Sequence, residues 1–188
     1  MVGNLSNFTK IDILRCLLKV DKPLSRLELS KILDLGEGTI RAILDVLKKN
    51  KLLDSNKQGH YLSAKGDAIV NKIKSNIQIK KVDLSGVPPN KKKVALHIKN
   101  PKKIGKSYVL RDEALKNGAD GALILRYDKK LRLYDSDYEQ DFGEIENNFN
   151  LAENDVVIVA YADSHKLAEH GALAAAINVD KSLGNILE

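Results

Sequence analysis

The chain has 188 residues, 43% of them hydrophobic and 30% charged, which is the composition of a folded globular protein and excludes a disordered one. Its 31 Lys and Arg against 25 Asp and Glu leave a formal charge of +6, distributed as +6 over residues 1–76, +9 over 77–111 and −9 over 112–188; a basic front joined to an acidic back points to a polyanionic partner for one half. The apolar runs 156–162 and 172–177 fall far short of the roughly 20 residues of a membrane span, Met1-Val2-Gly3-Asn4-Leu5-Ser6 lacks the basic-then-apolar order of a secretory signal, and a lone cysteine excludes an internal disulfide or a multi-cysteine zinc site, so a cytoplasmic protein with no membrane partner is expected.

Phe8, Ile11, Ile13, Leu14, Leu17 and Leu18 recur at helical spacing over residues 7–20, and Pro23 stops that helix. Cys16 lies on its core face, where cysteine acts as a small hydrophobe. Ser25-Arg26-Leu27-Glu28 has the spacing of a capping box and predicts a second helix with Leu27, Leu29, Ile32 and Leu33 inward. In the following turn, Asp34-Leu35-Gly36-Glu37-Gly38, Gly36 is placed to take the positive φ at which helices end. A third helix over residues 38–50 buries Ile40, Ile43, Leu44 and Leu47. Two helices joined by so short a turn carry a helix-turn-helix signature. Residues 51–55 and 59–63 then alternate as short strands around Asn56-Lys57-Gln58-Gly59, a hairpin wing. Ser63 caps a fourth helix over residues 64–74, with Ala68, Ile69 and Ile73 as its inner face.

The residues Leu29-Ser30, Gly38-Thr39-Ile40-Arg41, Leu44, Leu47 and Asn50-Lys51-Leu52-Leu53, continued by Tyr61-Leu62-Ser63-Ala64-Lys65-Gly66, resemble the winged helix-turn-helix domain of bacterial and archaeal transcription regulators over residues 5–76. The whole chain resembles an archaeal family in which such a domain is fused to a C-terminal α+β domain of unknown role. The resemblance implies that the third helix is the recognition helix, that residues 50–53 enter the wing and that residues 62–66 leave it; Asn50-Lys51 stands where a glycine is usual. A recognition helix enters the major groove by its N-terminal part, so Glu37, Thr39, Arg41 and Asp45 are candidates for base edges or nearby phosphates. Arg41 is the best single candidate, since a guanidinium bonds guanine O6 and N7 together. Lys48, Lys49, Lys51, Lys57 and the wing His60 would face phosphates. Plainer readings stand beside these: Thr39 can simply cap the helix, His60 and any one lysine can be solvated surface groups, and Glu37 and Asp45 leave the helix less basic than a non-specific DNA binder requires.

Beyond residue 76, a strand over 77–83, a Pro-Pro loop with Lys91, Lys92 and Lys93, and a strand over 94–98 form a hairpin. With Lys99, Lys102, Lys103 and Lys106 its loops hold the densest positive charge, either an extension of a phosphate footprint or a solvated charge run. A helix over 108–117 with Leu110, Ala114 and Leu115 inward ends at Gly118. Strands at 121–127 and 131–134, an acidic loop over 135–153, the apolar strand 155–162 and an Ala-rich helix over 164–177 complete an α/β layer. No nucleotide-binding glycine loop, nucleophile elbow or His-Glu-x-x-His motif is present, so no catalytic residue and no cofactor is expected. His165 and Glu169 share a helical face, but two ligands make no metal site, and Asp163 or Ser164 reads as the N-cap of that helix. The acidic loop lacks the Asp-x-Asp-x-Asp-Gly order of a calcium loop. The Gly-bounded loops 103–106 and 119–121 are natural places for a ligand.

The expectation is therefore an α+β protein, with an N-terminal winged helix-turn-helix domain over 1–76 and a small α/β-layer domain over 77–188. Its expected function is a transcription regulator that binds double-stranded DNA as a homodimer, with recognition helices spaced for half-sites about 34 Å apart. The C-terminal domain would bind a small-molecule effector or mediate dimerisation. The alternatives are a winged helix fused to a small-molecule enzyme domain, and a winged helix that contacts protein.

Overall fold

A computed structural model describes residues 8–85 and 88–187; the reading of residues 1–6 and the expected helix start at residue 7 lie outside them. Thr9 opens helix α1 (Lys10–Lys19) with a capping box, Asp12 N–H donating to Thr9 Oγ1 at 3.2 Å and Thr9 N–H to the Asp12 carboxylate at 2.9 Å. Ile13, Leu14, Cys16 and Leu17 are buried, and burial pushes the Cys16 thiol up to about 12, which keeps it protonated and inert. The buried Arg15 donates from Nη1 to the Leu33 carbonyl at 3.3 Å, tying α1 to the last turn of α2 (Arg26–Leu33).

Ser25 caps α2 through the expected box, with Glu28 N–H to Ser25 Oγ at 3.2 Å and Ser25 N–H to Glu28 Oε2 at 2.7 Å. The inward face of α2 is narrower than expected. Leu29 and Leu33 are buried, four residues apart on one stripe, while Leu27 and Ile32 fall to either side of it and are 50% and 47% exposed. The helix end also differs: Asp34, not Gly36, takes the left-handed conformation (φ 54°, ψ 53°), and Gly36 is extended (φ −61°, ψ 146°) as the N-cap of α3 (Glu37–Lys49). A short polar side chain tolerates that region better than most.

In α3 the expected stripe of Ile40, Ile43, Leu44 and Leu47 is buried. The helix closes with Lys51 N–H to Lys48 O at 2.8 Å and Leu52 N–H to Leu47 O at 2.9 Å, a Schellman pair that needs a left-handed residue, and Lys51 supplies it at φ 57°. Strands β1 (Leu53–Asn56) and β2 (Gly59–Leu62) follow as an antiparallel hairpin from Leu53↔Leu62 to Asn56↔Gly59. Leu24, between α1 and α2, pairs with His60 as a third strand of one residue. In α4 (Ala64–Asn76) the buried stripe is Gly66, Val70 and Ile73; Ala68, expected inward, is exposed and Ile69 is half-buried. The reason is Gly66, whose position allows no side chain because an added Cβ would overlap the Leu52 carbonyl oxygen. Ser63 locks the same corner, its Oγ donating to Lys51 O at 2.6 Å and accepting from Gly66 N–H at 3.0 Å. Three helices followed by a hairpin and a fourth helix appear in the expected order, with the Leu24–His60 bridge an addition to it.

The second part is a five-stranded antiparallel sheet in the order β3-β4-β7-β5-β6, made of β3 (Ile77–Val82), β4 (Lys92–Ile98), β5 (Gly121–Asp128), β6 (Lys130–Leu133) and β7 (Val156–Ala162). Helices α5 (Ser107–Lys116) and α7 (His165–Val179) cover one face, and α6 (Gly143–Glu146) lies in the segment between β6 and β7. That segment is not the plain acidic loop expected, since Phe142, Ile145 and Phe149 are buried with Val157, Val159, Ala95 and Leu125 against the other face of the sheet. On α5, Leu110 and Ala114 are buried but Leu115 is 42% exposed, one residue past the inward stripe.

One buried polar group organises this sheet. Asp155 is 2% exposed, its Oδ2 lies 2.7 Å from His97 Nε2 and accepts from Ala152 N–H at 2.9 Å, and its Oδ1 accepts from Asn100 N–H at 2.9 Å. A buried carboxyl group is tolerated only when its oxygens find such hydrogen-bond partners. The described residues form two compact units, residues 8–73 with 184–187, and Lys74–Leu183. No described helix is long and apolar enough to cross a membrane.

Replacing Gly66 by Ala should lower stability by about 1–3 kcal/mol through overpacking at the hairpin root, read as a drop in the urea midpoint of the N-terminal unit, whereas Ala68→Gly on the exposed side of the same helix should cost only about 1 kcal/mol.

Candidate nucleic-acid interface

The outward face of α3 carries Glu37, Arg41, Asp45 and Lys49, each four residues from the next and all exposed, opposite the buried Ile40, Ile43, Leu44 and Leu47. Its charges alternate in sign. Thr39 is half-buried in the first turn and does not cap the helix, because Gly36 occupies the N-cap and no side-chain bond closes that end. Lys48 turns toward the hairpin, its Nζ donating to Ser55 Oγ at 3.1 Å. Lys57 is exposed at the hairpin tip, and Lys51 is exposed at the end of α3.

Arg41, Asp45, Lys48 and His60 meet around one concavity of about 330 Å³. Arg26 lines it as well, a residue whose place within the Ser25 capping box gives no sign of this role. Its Nε lies 3.4 Å from Glu37 Oε2 with both groups about half exposed, so the pair is worth little in stability and is open to exchange for another anion. His60 is held by the backbone pair with Leu24, with His60 N–H to Leu24 O at 2.8 Å and Leu24 N–H to His60 O at 2.9 Å. Burial, followed by the Lys48 and Arg26 charges, holds the His60 imidazole below its usual range, so it stands in the wall as a neutral ring at pH 7. Glu37 and Thr39 lie at the N-terminal end of the same helix, and Lys49, Lys51 and Lys57 on the surfaces beside the concavity; none of these five lines it.

Elsewhere the positive run is partly neutralised. Lys91 Nζ lies 2.7 Å from both Asp120 and Asp163, whose carboxylates hold its pKa above the usual lysine value. Lys93 is buried along the sheet, and Lys80 donates to the Asn148 carbonyl beneath the Phe149 ring. Ser164 is the N-cap of α7. Among the described residues no three His, Cys, Asp or Glu side chains group as metal ligands. At Gly121 the Tyr161 ring occupies the space a Cβ would need.

Residues 9–68 match the family described as PH0730-like, N-terminal domain, and residues 89–179 match a domain of unknown function, DUF4443. Among solved structures, the hypothetical protein PH0730 from Pyrococcus horikoshii OT3 is 29% identical over 96% of this chain and 97% of that one, with a TM-score of 0.81, so the architecture of helices, hairpin and five-stranded sheet recurs there. S. agalactiae BusR in complex with its busAB-promotor DNA aligns over 92% of this chain and 96% of that one at 13% identity, with a TM-score of 0.26 that carries no argument. No curated protein matches the chain.

Lys51 holds a left-handed conformation that costs an L-residue roughly 1–2 kcal/mol and glycine almost nothing. Lys51→Gly should therefore raise stability by about 0.5–1 kcal/mol in equilibrium denaturation, a gain reduced by glycine's greater freedom in the unfolded chain, while Lys57→Gly at the hairpin tip should not.

Proposed function

We propose that this protein is a DNA-binding regulator in which α3 reads the major groove and the hairpin rests on the backbone. The observation that carries the reading is the concavity that brings Arg26, Arg41 and Lys48 together from α2 and α3 beside the hairpin's His60. Three cations from two helices on one concave side, without a carboxylate for each, suit a line of phosphates rather than a self-neutralised surface. Arg41, at the centre of the outward face of α3, supplies the planar fork that pairs with guanine O6 and N7, and Asp45 and Glu37 supply acceptors for a cytosine amino group. The alternating signs along α3 disfavour attachment to any phosphate backbone by charge alone, and so favour sites that satisfy both signs. Lys49, Lys51 and Lys57 add sequence-independent affinity from the flanks.

In this reading the C-terminal unit carries no reaction; it binds an effector or a second copy, and a ligand that favours one arrangement of two recognition helices changes operator affinity by that difference. A second reading is favoured by one observation: Leu27 and Ile32 are half exposed on α2, beside the same helix-turn-helix, as on a helix that contacts protein.

Selection of bound fragments from random duplex DNA separates the two. The DNA reading expects a selected motif containing guanine, with two copies one helical turn or a multiple apart if two protomers bind. Arg41→Ala should then relax the preference at one position by about 1–3 kcal/mol, while Lys49→Ala weakens all sequences alike. No enrichment, together with loss of a protein contact on Leu27→Ser, would establish the protein-contact reading instead.

A further inference from the structure

The C-terminal unit holds a second concave surface, of about 390 Å³, between the β4–α5 loop and the end of α7. That volume lies in the range of small-ligand pockets. Lys99, Lys102 and Lys181 line it, with the carboxamides of Asn76 and Asn100 and one carboxylate, Asp180. Among the described residues none of the three lysines is in an ion pair. The Asp180 carboxylate is turned to its own chain: Oδ1 accepts from Ser182 N–H at 3.0 Å and from Ser182 Oγ–H at 2.7 Å. The cavity is thus lined by three lysines and one aspartate, whose Oδ1 is held by Ser182, and by two asparagines whose carboxamides make no hydrogen bond in the described structure.

The backbone that carries these groups is fixed. Lys99 N–H donates to Asn76 O at 2.9 Å, and Asn100 N–H donates to the buried Asp155 carboxylate at 2.9 Å. Asn100 takes a positive φ of 36°, which a short polar side chain tolerates. On the other wall Asp180 N–H closes α7 on Ala176 O at 2.8 Å, and Leu183 N–H returns to Asp180 O at 3.1 Å. Three like charges whose backbone is tied around one hollow favour an anion with several acceptor oxygens between them. A phosphate group has that charge and number of acceptors, and the carboxamide N–H groups can donate to it as well.

We propose that this hollow is a binding site for phosphate groups, supplied either by a small phosphorylated ligand or by a nucleic-acid backbone. It shares no residue with the concavity at α3, and its pyrophosphate arm does not depend on the DNA reading. The experiment is calorimetric titration of the full chain, and of its Lys102→Gln/Lys181→Gln variant, with inorganic pyrophosphate and separately with a random-sequence duplex. A Lys129→Gln/Lys130→Gln variant, which removes the same charge elsewhere in the unit, serves as control, and thermal melts confirm that all three chains fold. If the source is a small ligand, pyrophosphate binds and its Kd rises at least tenfold in the Lys102/Lys181 variant but not in the control. If the source is nucleic acid, pyrophosphate gives no heat, and the variant lowers duplex affinity with a salt slope shallower by about 2, again unlike the control. The proposal is overturned if the variant and the control behave alike in both titrations, whether or not the duplex binds.

Discussion

The N-terminal unit depends on a corner where backbone meets backbone with no side chain between. Leu24 and His60 exchange both of their peptide hydrogen bonds, and Gly59 at φ 139° lies so close to them that an added Cβ would stand 2.6 Å from the Leu24 carbonyl. Arg26 follows Leu24 by two residues, so the bridge that holds the hairpin also sets the spacing between Arg26 and His60. Those two residues line the concavity together with Arg41, Asp45 and Lys48 of α3. The far end of the hairpin is fixed the same way, where Gly66 admits the Leu52 carbonyl and Ser63 bonds both sides of the joint. Short strands have little cohesion of their own. Here they are held by two glycine contacts and one bridged residue, and the charged groups on them inherit that rigidity.

The C-terminal unit solves the same problem with a charge. Asp155, just ahead of β7, gathers His97 on β4, the Ala152 amide before it and the Asn100 amide after β4. Removing the carboxylate would leave the buried His97 ring nitrogen without its partner and release the Ala152 and Asn100 amides, so one buried group ties two loops to the β4–β7 strand pair. The phosphate site proposed at residues 99–102 rests on that clamp, so its geometry derives from the centre of the sheet although its ligands are on the surface.

Much of this was legible because it is local. The capping box at Ser25, the apolar stripe of α3, the hairpin tip, the apolar run of β7 and the helix end at Gly118 are each written within a few residues, whereas Lys51, expected in a strand, takes the left-handed conformation that closes α3. The misreadings have physical causes. An eight-residue α2 makes barely two turns, so its four apolar residues look like one face when only Leu29 and Leu33 share it. Acidic residues masked α6, yet Phe142, Ile145 and Phe149 stand three and four apart as a helical stripe would. The Leu24 bridge, the Gly66 contact and the His97–Asp155 pair join residues 14 to 58 positions apart, and no local pattern announces them. Arg26 was hidden differently, since a capping box was sufficient reason for its neighbours and left its own side chain unread.

The opening asymmetry of charge acquires a narrower meaning from these contacts. Part of the +9 over residues 77–111 is spent internally, Lys91 on Asp120 and Asp163 and Lys93 in burial, whereas the cations of α3 and the hairpin have few permanent partners. Binding by such groups proceeds by release of counterions and leaves a quantitative signature. The most direct measurement is the affinity of the full chain for duplex DNA across salt concentrations from about 50 to 200 mM. With Arg26, Lys48, Lys49, Lys51 and Lys57 facing phosphates and Arg41 a base, the account predicts a slope of log K against log salt of about −4 to −5 for each bound protomer; a slope near zero, or no binding at the lowest salt, would contradict it.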